Sequence, residues 1–88
     1  MKIRVVGSKY ANYTNADGKD INGVTIAGLI TEPDVIDENV EGNLIFQEFF
    51  SLKSLPELPR LNVEYEVKFL HYKTKEGWSC RIIGFEEV

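Results

Sequence analysis

The chain has 88 residues, 43% of them apolar and 27% charged, with a formal net charge of −4. Those values fit one small globular domain over residues 1–88 and argue against an intrinsically disordered chain. A net negative charge excludes uniform electrostatic attraction to nucleic acid, so any such function must rest on cations sorted onto one part of the surface.

The opening run, Met1 to Val6, is too short in apolar residues for a signal peptide or a membrane span, which makes the cytoplasm the default expectation and a membrane partner an unexpected one. Lys2–Val6 reads as a strand with Ile3 and Val5 on one side, and Gly7-Ser8 either ends it or bulges it. Residues 9–15 follow, and Asp17-Gly18 is a hairpin signal because both residues accept positive φ. Val24–Thr31 is a second strand with apolar residues on both faces. Its Gly23 and Gly28 mark a bend or the close approach of another backbone.

From Glu32 to Asn43 the sequence becomes acidic, with Glu32, Asp34, Asp37, Glu38 and Glu41, and Pro33 breaks the strand, so a loop is predicted. Asn43–Lys53 is a third strand, placing Phe46 and Phe50 on one face and Phe49 on the other. Pro56 and Pro59 make the next connection stiff. The last third is a hairpin: Val63, Tyr65, Val67, Phe69 and His71 alternate with Glu64, Glu66, Lys68, Leu70 and Tyr72. Residues 73–77 turn, and Trp78, Cys80 and Ile82 alternate with Ser79, Arg81 and Ile83. Five short strands at this spacing predict an all-β fold, a closed or nearly closed five-stranded antiparallel barrel of OB-like or SH3-like type.

The residues offer little for catalysis. There is no phosphate-binding glycine loop, no zinc spacing and no nucleophile elbow, so no enzyme activity, metal or cofactor is expected. The single cysteine, Cys80, lies in an alternating run and is expected to be a buried, inert thiol. His71 is expected to be a core or rim residue. What remains is the aromatic set of one Trp, four Tyr and five Phe, too many for so thin a core. Exposed rings among cations are what single-stranded nucleic acid requires, since bases stack on the rings and Lys or Arg follows the phosphates. Lys9 stands near Tyr10 and Tyr13, Lys19 lies in the first hairpin, and Lys68, Lys73, Lys75 and Arg81 surround Tyr72 and Trp78.

Several stretches resemble the small single-stranded DNA-binding proteins of filamentous phages and related plasmid-borne and mobile-element proteins. They are Val63–Phe69 followed by Gly77–Ile83, Tyr13–Lys19 followed by Gly23–Ile26, and Val40–Gly42 leading into Leu44–Phe46. The resemblance implies an OB-like barrel, a homodimer, and coating of single-stranded DNA, with RNA left open. It implies roles in binding for Tyr13, Lys19, Tyr65, Tyr72, Trp78 and Arg81. The chain departs from that pattern at Asp17 and Asp20, which flank Lys19 where the family carries more cations. Two other readings stand beside it. One is an acidic protein-interaction module or phage-type inhibitor whose Glu32–Glu41 stretch imitates a nucleic-acid backbone. The other is an assembly subunit that spends its rings on a seam between copies.

Overall fold

A computed structural model describes every residue except Pro56. The elements are β1 (Lys2–Thr14), β2 (Asp20–Glu32), β3 (Ile45–Ser51), β4 (Glu64–Thr74) and β5 (Gly77–Glu87), all antiparallel in one sheet of order β3-β2-β1-β4-β5. There is no helix among the described residues. The prediction of five antiparallel strands therefore holds. Closure of the barrel does not: no backbone hydrogen bond joins β3 to β5 among the described residues, and the sheet is open.

The open sheet is strongly curled. Phe85 of β5 meets Phe46 and Phe50 of β3 edge-on, with ring centroids 6.1 and 5.6 Å apart, and Tyr65 of β4 at 6.2 Å. The two edge strands thus face each other through side chains. Under this curl lies the core: Ile3, Val5, Val24, Ile26, Phe46, Phe50, Leu55, Tyr65 and Val67, with Phe69, Ile82 and Phe85 packed against it. Apart from Leu55, which lies between β3 and β4, and Ile82 and Phe85, which flank a bulge, these residues alternate along their strands, as a sheet with one covered face requires. Each fully buried Ile or Val contributes about 1.5–3 kcal/mol by leaving water.

Three bulges bend the strands. In β1 the register passes from Val5↔Gly28 to Gly7↔Ala27, leaving Val6 as the extra residue. In β2 the extra residue is Thr31, and in β5 it is Ile83. The bulge at Val6 lets β1 continue to Thr14, well past Gly7-Ser8. Gly28 sits where this bend brings β1 close, since a Cβ there would stand 2.9 Å from the carbonyl oxygen of Arg4.

β1 and β4 pair only over Lys2–Arg4 and Glu64–Glu66. Because the pairing is antiparallel, the rest of β1–β2 and the rest of β4–β5 run away from this short seam in opposite senses, as two long ribbons. The Cα radius of gyration, 14.7 Å, accordingly exceeds the ~12 Å of a compact chain of this length. The β1–β2 ribbon is closed by Asn15, whose side-chain oxygen accepts from the amides of Asp17 and Lys19, with Gly18 at φ +77°. The β4–β5 turn is tighter than predicted, with only Lys75 and Glu76 between the paired Thr74 and Gly77.

Candidate nucleic-acid interface

Strand alternation assigns every side chain to the core-side face or the outer face of the sheet, and the burial pattern then shows which of them anything covers. On the outer face β1 presents Lys9 and Tyr13, with Lys9 paired to Thr25 of β2 and Thr25 paired to Phe49 of β3. Phe49 is half exposed, its ring lying over Gly23, where a Cβ would collide with it. Across the unpaired edges of β3 and β5, Phe49 and Arg81 line one cleft together with Glu48, Phe50, Phe69, Cys80 and Ile82, which belong to the core-side face. Arg81 is paired with Leu70, and the next outer-face position on β4 is Tyr72, paired with Ser79. Tyr13, Lys9, Phe49, Arg81 and Tyr72 are therefore all exposed outer-face residues of their strands, with Phe49 and Arg81 sharing the cleft between the two edges.

The other predicted residues fall into three groups. Lys19 is exposed in the β1–β2 turn, and Lys75 is exposed in the β4–β5 turn. Trp78 is the most exposed ring among the described residues, at 74%, and is paired with Lys73. Both lie on the face of the ribbon opposite to Tyr72 and Arg81, so the structure does not place all the predicted rings on one face. The remaining two, Tyr65 and Lys68, are committed elsewhere.

Tyr65, expected among the base-stacking rings, is a core residue with 6% exposure, and its hydroxyl accepts from the backbone N–H of Arg60 at 2.8 Å. Neither face of that ring is open to a base. Lys68 is exposed but ion-paired with Glu86 at 2.8 Å. The hydrogen bond from Lys68 holds the Glu86 carboxyl below its ordinary range, and Glu86 in turn raises the Lys68 amine.

The other ion pairs also sit near the seam, away from the ribbon tips. The N-terminal amine contacts Asp34 and Glu66, Lys2 contacts Glu32, and Arg60 contacts Glu87. Five of the fourteen acidic side chains, Glu32, Asp34, Glu66, Glu86 and Glu87, are thus ion-paired. Among the described residues, Lys9, Lys19, Lys73, Lys75 and Arg81 have no ion-pair partner. The β4–β5 tip carries Lys73, Lys75 and Arg81 against Glu76 alone. Thr14 donates to the Asp20 carboxylate at 2.8 Å at the base of the other turn.

The expectation of a buried Cys80 is overturned, for its thiol is exposed. Cys80 is paired with His71 on the core-side face, but the ribbon has already passed beyond the core at this rung. No hydrogen bond joins the two side chains among the described residues, and no group of three or more metal-ligating side chains is found there. Lys9 was a candidate cation in the sequence, whereas Phe49 was not among the residues predicted for binding. The alternation in β3 already turned Phe49 away from Phe46 and Phe50, but only the curl of the sheet brings it to the cleft that Arg81 also lines.

Comparison with protein-family models, with curated proteins and with solved structures finds no match to this chain.

Proposed function

We propose that this chain binds single-stranded nucleic acid, DNA in the first instance, along the outer face of its curled sheet. The reading rests on one observation: Tyr13, Phe49 and Tyr72 are exposed on the same face as the unpaired cations Lys9 and Arg81, while the acidic residues near the seam are partly neutralised. Such a surface suits an extended strand whose bases stack on flat side chains and whose phosphates meet Lys or Arg. Lys19 and Lys75, in the two turns, extend the cationic path at its ends.

The strand order supports an OB-like reading of the fold. An OB barrel opened between β3 and β5 has the order β3-β2-β1-β4-β5, and the contacts of Phe85 with Phe46 and Phe50 bring those two edges together. OB folds bind oligonucleotides through their β2–β3 face and the β1–β2 and β4–β5 loops. Phe49, Lys19 and Lys75 occupy those places. The alternative of an acidic interaction module calls for buried aromatics behind a dominant negative face, and the exposed rings beside unpaired cations favour the first reading.

The test is the fluorescence anisotropy of a dye-labelled oligo(dT) titrated with the protein at low and high salt. Binding at low salt that weakens steadily as salt is raised is expected. Absence of binding at low salt removes the proposal.

A further inference from the structure

The hollow formed by the Glu32–Leu44 segment takes no part in the proposed outer track. It is bounded by Ile30, Pro33, Val35, Ile36, Val40 and Leu44, with a volume of ≈ 230 Å³. That is below the roughly 300–1,000 Å³ of pockets built for small molecules, and its scale is that of one large side chain. Val35 and Ile36 are 78% and 88% exposed, so apolar surface faces water here.

The hollow has a fixed frame. The amide of Ile30 donates to the Leu44 carbonyl at 2.9 Å, and the Asn43 side chain donates to the Ile30 carbonyl at 2.8 Å, tying the two ends of the loop together. Asp37 lines the hollow and turns the chain by accepting from the amides of Asn39 and Val40. Glu38 and Glu41, on the same loop, have no ion-pair partner among the described residues. Asp37 therefore puts an acid on the lining of an apolar hollow, and the segment that forms it carries no lysine or arginine.

The opposite shape stands elsewhere on the same chain. Trp78 projects from the β4–β5 tip as the most exposed ring among the described residues, with Lys73 directly across the ribbon and Lys75 and Glu76 beside it in the turn, so the tip keeps a net positive charge. It faces away from the outer track. We propose that Trp78 of one copy docks into this hollow of a second copy, with Lys73 and Lys75 against the acidic segment that carries Asp37, Glu38 and Glu41. The charges are complementary, and the contact removes two exposed apolar patches from water at once. It is head to tail, so each copy keeps one free ring and one free hollow. Association proceeds to chains or rings and does not stop at a two-fold pair.

The proposal does not rest on nucleic-acid binding and is tested without it. Sedimentation velocity of the intact chain is expected to show concentration-dependent association that weakens with salt. Trp78→Ala, and separately the pair Ile36→Lys with Glu38→Lys, are each expected to leave only monomer. All three side chains are highly exposed, so the fold is unaffected, which an unchanged thermal midpoint verifies. The decisive arm mixes the two monomeric variants. One retains the hollow and the other the ring, so the mixture is expected to form a dimer and stop there. A wild-type chain that stays monomeric at every concentration overturns the proposal. So does association that survives either variant, or a mixture that fails to dimerise.

Discussion

Phe49 of β3 and Arg81 of β5 line one cleft between two edge strands that share no backbone hydrogen bond among the described residues. One supplies a half-exposed ring and the other a cation without an ion-pair partner. The curl that brings them together comes from the core beneath, where Phe85 is wedged against Phe46 and Phe50. Core packing and the candidate interface are thus coupled through the same two strands.

Removing exposed rings along the outer face is expected to weaken binding without unfolding the chain. Base–aromatic stacking is worth about 1–3 kcal/mol per base, so Tyr13→Ala and Tyr72→Ala each predict a loss of roughly 5- to 150-fold in affinity for oligo(dT). Anisotropy titrations measure this, with thermal unfolding as the control for stability.

Tyr65 is predicted to behave in the opposite way. Tyr65→Phe leaves the Arg60 amide without its acceptor and is expected to lower stability by about 0.5–1.5 kcal/mol, with affinity for nucleic acid unchanged. Urea unfolding of the two proteins gives the first quantity and a titration the second.

The contrast between Tyr65 and Tyr72 shows what the sequence conveys. Alternation assigned both rings correctly to opposite faces, and Asp17-Gly18 marked its turn through the positive φ that Gly18 adopts. Alternation says which face a side chain takes, but not whether anything covers that face. Cys80 and Trp78 share the core-side face with Ile82, yet the ribbon outruns the core, and both are exposed. The linear pattern left Gly7-Ser8 as either a strand end or a bulge and could not choose: the extra residue is Val6, and β1 runs on to Thr14. That Phe49 and Arg81 share a cleft depends on sheet curl, which short-range pattern does not encode.

Salt dependence separates cations that meet phosphate from those already paired. Each phosphate contact to a single strand adds ~0.7 to the slope of log affinity against log salt. Arg81→Gln and Lys9→Gln are each expected to reduce the slope by about that much. Lys68→Gln is expected to leave it unchanged, because Lys68 is held by Glu86.

The Lys68–Glu86 pair also predicts a pH effect. The Glu86 carboxyl is lowered by Lys68, so the pair's contribution is present above the ordinary carboxylate range and is lost as pH falls through the lowered value. The Lys68 amine is raised by Glu86, so at the alkaline end the contribution is lost as pH rises through the raised value. Carbon-detected NMR titration of Glu86 is expected to show the lowered midpoint in the native chain and an ordinary one in Lys68→Gln.

Gly28 tests the close approach at the β1 bulge. Gly28→Ala places a methyl group against the Arg4 carbonyl and the Ile3 side chain. Overpacking of this kind costs about 1–3 kcal/mol, which a lower urea midpoint at unchanged slope would register.

The most direct measurement is an amide NMR titration of the intact chain with oligo(dT) at low salt. Perturbations concentrated at Lys9–Lys19, Phe49, Tyr72 and Arg81, with the Glu32–Leu44 loop silent, are the predicted result. A spectrum that does not change, or changes confined to that acidic loop, would contradict the account.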